Sequence, residues 1–426
     1  MSLDEAFARV IGEKEVSLLR PTASQLSAII KEYGYIAVYA FPSLDASIAS
    51  SLAASIFERF NVEHVVYFTP VPPRELEEPS LLVGYPAVVV EQLKPRRPAA
   101  LVGVGERPQG ILQVPVTSST DTSVAGLMAG VLSELTVVGY LAVYAIASAI
   151  WRGLDRGKKG EIEGLEASLI EVLTLENIVE AFFTLRLARW KELPTEEALS
   201  STVLPLLPGL SGNPDAARRF LEGDPRLKPL LGKTSDEAPD EAVVVLGEKL
   251  YDLLKQRSRV PRRPTEVIGF NYYSRRAPLP DLREAAAVLA CYASDAGLGR
   301  VYSLLHAEQH VASDAYTHYM RSFDGLAASV VQLLEAGLQQ GPRLAGVQTL
   351  RIPQRGCGLL LANELRRLGV VHPEALPLLE TPEGLLVPLE FAVDRIGFSQ
   401  LSELVGRGCL EYLEGTPYAR LHEARC

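Results

Sequence analysis

The feature that most constrains this chain is an alternation. Short runs of β-formers repeat between stretches with helical spacing across the first third of the sequence. YIAVYA (35–40), EHVVYF (63–68) and AALVGV (99–104) each carry the branched and aromatic residues of strands. Shorter apolar runs at 81–83, 87–90 and 111–116 read as further strands. Between them, 45–60 is helical with a face of alanines and serines, and 123–135 and 139–150 are helical as well. Strands that alternate with helices predict an α/β chain with a mostly parallel sheet covered on both faces.

From 165 to 221 the spacing is helical, with a break at Pro205-Leu206-Leu207-Pro208-Gly209. The polar stretch 234–241 reads as a linker and 241–256 as a connecting helix. A second α/β unit then opens on a strand at 266–273 and closes with a helix at 399–411. The organisation predicted is a sheet domain over 1–225 (its helical part at 160–225), a connection over 226–265 and a smaller domain over 266–426. With 426 residues, two cores or more are expected.

Composition excludes several classes. At 47% hydrophobic and 22% charged, the chain buries too much to be disordered. A net charge of -10 excludes a uniformly basic nucleic-acid trap, so any such contact needs a local patch. The longest apolar run, near 137–151, is shorter than the ~18 residues of a membrane span. None of the cysteines, Cys291, Cys357, Cys409 and Cys426, has CxxC spacing, so no zinc knuckle or redox pair is written. Their scarcity fits a reduced, cytoplasmic setting. Few asparagines and many arginines and prolines lean toward a thermophilic source.

Several segments, in order, resemble the archaeal branch of the RecJ-like DHH phosphoesterases. They are Val114-Pro115, Ser123-Val124-Ala125-Gly126-Leu127, Asp155-Arg156-Gly157-Lys158-Lys159-Gly160-Glu161, Pro208-Gly209-Leu210-Ser211-Gly212-Asn213 and the run from Arg283 to Cys291. The resemblance implies a DHH-phosphoesterase-like parallel-sheet domain with a helical insertion, followed by a smaller domain of the kind called DHHA1. It also implies where chemistry should sit, because these enzymes hold two divalent metals on carboxylates and histidines at strand ends.

Those positions have been replaced. Where the family has H-x-D-x-D-G, this chain reads Phe41-Pro42-Ser43-Leu44-Asp45-Ala46, so at most Asp45 survives. Gly84 stands for the second motif's aspartate, Gly103-Val104-Gly105 for D-H-H, and Trp151-Arg152 for the fourth motif's G-D. Arg152 would put a fixed positive charge where a dication sits. The phosphate-gripping G-G-G-H loop is reduced to Glu414-Gly415-Thr416-Pro417. The resemblance therefore implies a catalytically inactive, cofactor-free protein similar to the cell division control protein 45 family, whose members join the GINS complex and the MCM helicase. A residual metal-dependent single-strand nuclease or nucleotide phosphodiesterase, or a non-catalytic subunit of another nucleic-acid processing complex, are the alternatives.

Other constellations have competing readings. Lys255, Arg257, Arg259, Arg262, Arg263, Arg275 and Arg276 are either a single-stranded-DNA contact, with Tyr272 and Tyr273 stacking on bases, or a solvated, extended linker. His306, His310, Asp314 and His318 repeat every four residues on a predicted helix. That run drifts around the helix, so His306 with His310 is the best metal pair, and a solvated polar face is the preferred reading. Ser118, Ser119, Thr120, Asp121 and Thr122 read as a helix start.

Overall fold

The fold is described from a computed structural model over residues 12–108, 113–336, 347–351, 356–372, 374–382 and 384–422. The first sheet contains β1 (Tyr35–Ala40), β2 (Glu63–Phe68), β3 (Ser80–Pro86), β4 (Ala99–Val104) and β5 (Val116–Ser119). They lie in the order β2-β1-β3-β4-β5, and every pairing is parallel. β3 and β4 are buried almost throughout, as expected of a parallel sheet covered on both faces. The expectation of an α/β chain with a parallel sheet holds.

Small residues set the packing of the helices. The Leu44–Arg59 helix starts where the Ser43 hydroxyl accepts the Ala46 N–H, and its alanines and serines are buried against the Val124–Ser133 and Val143–Trp151 helices. The Glu13–Tyr33 helix packs on β4, β5 and the Val124–Ser133 helix. Among the described residues no helix is long and apolar enough to cross a membrane.

Several expectations are corrected. Residues 87–90 are not a strand but part of a 3-10 turn, Ala87–Gln92, because β1 and β4 already occupy both edges of β3. The expected strand at 111–116 begins only at Val116, since Pro115 has no N–H to give a ladder; 109–112 lie outside the described residues. The helical stretch 165–221 contains a strand, β6 (Glu180–Leu185). It pairs antiparallel with β7 (Ile268–Tyr273), so the strand expected to open the second domain is laddered to the first. The cysteines are not all thiols, since Cys291 and Cys357 form a disulfide. Their separation of 66 residues hid this pairing from spacing rules.

The second sheet contains β8 (Val347–Arg351), β9 (Leu376–Thr381), β10 (Gly384–Pro388), β11 (Leu410–Tyr412) and β12 (Tyr418–Leu421), ordered β8-β9-β10-β12-β11. Only β8 and β9 are parallel. The expected helix at 399–411 is instead the end of Leu389–Gly406, which breaks at Gly397 (φ 76°). Residues 410–412 are strand because Gly408 (φ 72°) stops the helix and lets the chain turn back.

Candidate functional site at the lobe boundary

β1 runs to β2 on one side and to β3 on the other, so the strand order reverses between β1 and β3. In open parallel sheets ligands bind at the carboxyl ends beside such a reversal. The structure brings Phe41, Gly84 and Gly103 to this place. Phe41 follows β1 and donates its N–H to Val83 O (2.8 Å). Gly84, at φ 79°, lies so close that a Cβ there would stand 2.6 Å from Ala46 Cβ and 3.4 Å from Phe41 Cβ. A Cβ on Gly103 would stand 2.0 Å from Tyr85 O, and Val104 and Gly105 continue β4 beside Ser119. An acidic residue at Gly84 or Gly103 would not fit this packing.

The crevice is filled with rings. Phe41 meets Tyr85 edge-on at 5.8 Å, and Tyr85 meets Phe398 edge-on at 6.2 Å. All three are buried, and Tyr85 donates its hydroxyl to Thr69 O (2.7 Å). Phe398 comes from the Leu389–Gly406 helix, which connects β10 to β11 of the second sheet, so the plug joins the two sheet-bearing parts of the chain. Edge-to-face pairs add about 0.5–1.5 kcal/mol each beyond buried area.

Asp45 is engaged elsewhere. Its carboxylate accepts the N–H of Val124 and of Ala125, both at 2.9 Å, and the Ser148 hydroxyl at 2.7 Å. It thus caps the Val124–Ser133 helix, with Ser123 Oγ accepting from Gly126 N. Its neighbour Glu166 is buried, accepts Ser123 N (2.7 Å), and is pushed up to about 8 by burial. A dication needs several oxygen or imidazole donors at once. Phe41, Ser43, Gly84, Gly103 and a fully bonded Asp45 do not supply them.

Arg152 caps the Val143–Trp151 helix and opens onto a cavity of about 330 Å³ shared with Arg366, Arg367, Glu390 and Asp394. Burial opposes its charge, but Asp45, Asp394, Glu390 and Glu166 outweigh burial and raise its pKa. Glu390, pushed up to about 7 chiefly by burial, accepts the Trp151 indole N–H at 3.1 Å and so ties the lobes together. Arg367 donates to Ile150 O across the same boundary.

A second cavity, of about 290 Å³, shares Gly153 and Arg367 with the first. Asp155, Arg156, Arg186, Arg263 and Arg283 line it. Asp155 is buried and pairs with Arg186 (2.9 Å) and Arg283 (2.7 Å). Burial pushes its pKa up, but these two guanidiniums hold it below the usual carboxylate range. Arg186 falls to about 9, through burial and the Arg283 charge. Together the cavities form an arginine-lined groove beside the plug.

Sequence reasoning missed most of this groove. Arg186 sits just past a strand read as helix, and Arg366 and Arg367 end a helix (Gly358–Arg367) far along the chain. Of the predicted basic cluster, Arg263 lines the groove. Arg262 does not, since it pairs with Glu266 and donates to Arg367 O. Lys255, Arg257, Arg259, Arg275 and Arg276 are exposed on the surface. The segment is not a free extended linker, because Arg259 N donates to Leu368 O (2.9 Å) and Tyr251 donates to Arg262 O. Nor do the tyrosines stand ready to stack. Tyr272 is buried with its oxygen accepting Ile162 N, and Tyr273 donates to Glu192.

The histidine series disperses. His306 precedes the Glu308–Ala336 helix and meets Glu58 at 3.1 Å, Asp314 accepts from Tyr292, and His318 meets Asp295 at 2.7 Å. His306 thus lies outside the helix that carries His310, so the two do not share one helix face. Residues 118–122 are not the helix start: Ser118 and Ser119 end β5, and the helix that follows is capped by Ser123, while Thr122 Oγ1 accepts Leu165 N at the start of the Leu165–Leu175 helix. Asn213 of the Pro208–Asn213 turn caps the Pro214–Glu222 helix. Gly415 stands in the turn between β11 and β12 and accepts Leu298 N.

No family model matches this sequence, and no curated protein does. Among solved structures, the chain is similar to CDC45 from Entamoeba histolytica, with a TM-score of 0.58 and 10% identity over 96% of both chains. The chain has the CDC45 fold. It is also similar to RecJ from Thermus thermophilus solved with Mn2+, at a TM-score of 0.44 and 10% identity. That match covers 96% of this chain and 52% of RecJ, so this chain spans about half of RecJ's length. On the CDC45 fold the plug lies at the reversal of the parallel sheet and the arginine groove beside it, where the lobes meet.

Proposed function

We propose that this protein is a non-catalytic DNA replication factor on the CDC45 fold. It binds the GINS complex, and through it the MCM helicase, and it takes single-stranded DNA along the arginine groove. The observation that carries this reading is the Phe41–Tyr85–Phe398 plug, with Asp45 consumed as a helix cap where a phosphoesterase needs metal ligands. A fold kept while its ligands are replaced by packed rings fits selection on a surface rather than on chemistry. The groove supports the DNA contact. Arg152, Arg156, Arg263 and Arg366 offer guanidiniums along one path, and arginines on such a path bind phosphates without regard to sequence.

The test is size-exclusion chromatography of the full chain with the GINS complex of the same organism. Co-elution is expected. Separate elution at micromolar concentration overturns the partner assignment and points to another nucleic-acid processing complex. A parallel assay on single-stranded DNA with Mn2+ is expected to show no cleavage. Cleavage that disappears on an Asp45→Ala change would restore the nuclease alternative.

A further inference from the structure

The two cavities of the groove leave different groups unpaired. In the one lined by Asp155, Arg186 and Arg283 are tied to that carboxylate, and Arg263 adds a further positive charge. The one lined by Arg152 holds both signs. Among the described residues, the side chains of Arg152, Arg366 and Asp394 make no hydrogen bond or ion pair at bonding distance. Asn363 adds a buried Nδ2 that has no hydrogen-bond partner among the described residues. The other charged groups there are spent, Arg367 on Ile150 O and Glu364, and one oxygen of Glu390 on the Trp151 indole. The Arg366 guanidinium stands over the Phe391 ring, 4.6 Å from its centroid. A cavity of about 330 Å³ with unmet donors and an unmet acceptor on its walls suits a ligand that carries both kinds of group.

A phosphate meets the arginines here but not the acceptors. A nucleobase has donors and acceptors on one edge. Thymine offers a single N–H there, and adenine and cytosine a single amino group. Guanine has two parallel donors, N1–H and N2–H, which match both oxygens of one carboxylate, and its O6 and N7 take the fork of a guanidinium. Asp394 and Arg152 supply those two forks, with Asn363 and Arg366 as flanking donors. The adjoining cavity shares Gly153 and Arg367, and its surplus guanidiniums suit a phosphate. We propose that the Arg152 cavity takes a guanine base, with Asp394 accepting from N1–H and N2–H, Arg152 donating to O6 and N7, and the nucleotide's phosphate in the adjoining cavity. This rests on the reading that the groove carries single-stranded DNA, and it adds one base-selective position to a groove otherwise blind to sequence.

The experiment measures fluorescence anisotropy of the full chain with labelled oligothymidylate, and with the same strand carrying one central guanine, adenine or cytosine. The guanine strand is expected to bind at least about fivefold more tightly than oligothymidylate, the discrimination of one good bidentate pair. Adenine and cytosine are expected to gain less than half of that. Equal binding of all four strands overturns the base site and leaves the single-strand reading standing, and an equal gain for adenine or cytosine overturns guanine as its occupant. Asp394→Asn, at an exposed position without bonds to the rest of the fold, is expected to bring the guanine-to-thymine ratio close to one. A folded variant that keeps the ratio overturns the assignment of Asp394. Calorimetric titration with guanosine 5′-monophosphate and thymidine 5′-monophosphate separates the two readings from the other side. If no strand binds but the guanine nucleotide does and the thymine nucleotide does not, the single-strand reading falls and the base site stands. If neither strands nor nucleotides bind, both fall.

Discussion

The boundary between the lobes is built in two opposite ways within a few residues of each other. At the strand ends it is dry, with Phe41, Tyr85 and Phe398 interlocked and the Asp45 carboxylate accepting three hydrogen bonds. Beside it, the groove is lined with guanidiniums, and two of them share a single buried aspartate. The plug gains stability from packing, whose strength does not depend on salt or pH. The groove holds more positive charge than it neutralises, which costs stability and leaves capacity for an anion.

The sharpest way to break this contrast is Asp155→Asn. It leaves Arg186 and Arg283 buried without their counter-charge, and a loss toward the upper end of ~3–5 kcal/mol is expected in urea unfolding. Arg283→Met should cost less than half as much, because it relieves the repulsion between the arginines and leaves Arg186 paired with Asp155. On the plug side, Phe398→Ala should cost about 3 kcal/mol and be insensitive to salt, as calorimetry at low and high ionic strength would show. A salt-dependent loss would mean that the plug is not the dry contact described here.

Glu166 tests the edge between the two regimes. Its pKa rises on folding to about 8, so its contribution is fully present below the ordinary carboxylate pKa and is lost as pH rises through about 8. Stability should therefore fall between pH 5 and pH 8 by an amount on the order of a few kcal/mol, to which Glu284 and Glu390 add in the same direction. Glu166→Gln should flatten that fall in a pH series of thermal melts; an unaltered slope would place the titration elsewhere. The smallest effect on folding belongs to the groove's exposed arginines. Replacing Arg156 and Arg263 with alanine should change stability by less than ~0.5 kcal/mol each. Single-strand binding by fluorescence anisotropy should weaken, and its logarithmic salt slope should drop by about 0.7 for each phosphate no longer engaged.

How much could be read from the sequence differs between the same regions. β1, β2 and β4 were legible to the residue because each is an uninterrupted run of β-forming residues. Ala87 to Val90 looks the same locally, and only the occupied edges of β3 exclude it from the sheet. β6 was hidden because Phe182, Phe183 and Thr184 form a strand only with β7, more than eighty residues on in the chain. Phe41, Gly84 and Gly103 do gather at the strand ends, whereas Arg152 ends the Val143–Trp151 helix. What fills the space was not legible, since Phe398 arrives from the far end of the sequence. The groove was partly mislaid for the same reason. A run of basic residues catches the eye in sequence, whereas Arg186, Arg283 and Arg367 become neighbours only through folding.

The Asp45 cap also governs where a polyanion is drawn. The amino end of a helix carries a partial positive charge and open N–H groups, which is why phosphates so often settle there. Here the first N–H groups of the Val124–Ser133 helix already face an internal carboxylate. The field that would attract a phosphate to the strand ends is cancelled from within, and the attraction that remains belongs to the groove. An incoming strand would thus be guided by long-range electrostatics to the lobe boundary, at a rate that falls steeply with ionic strength.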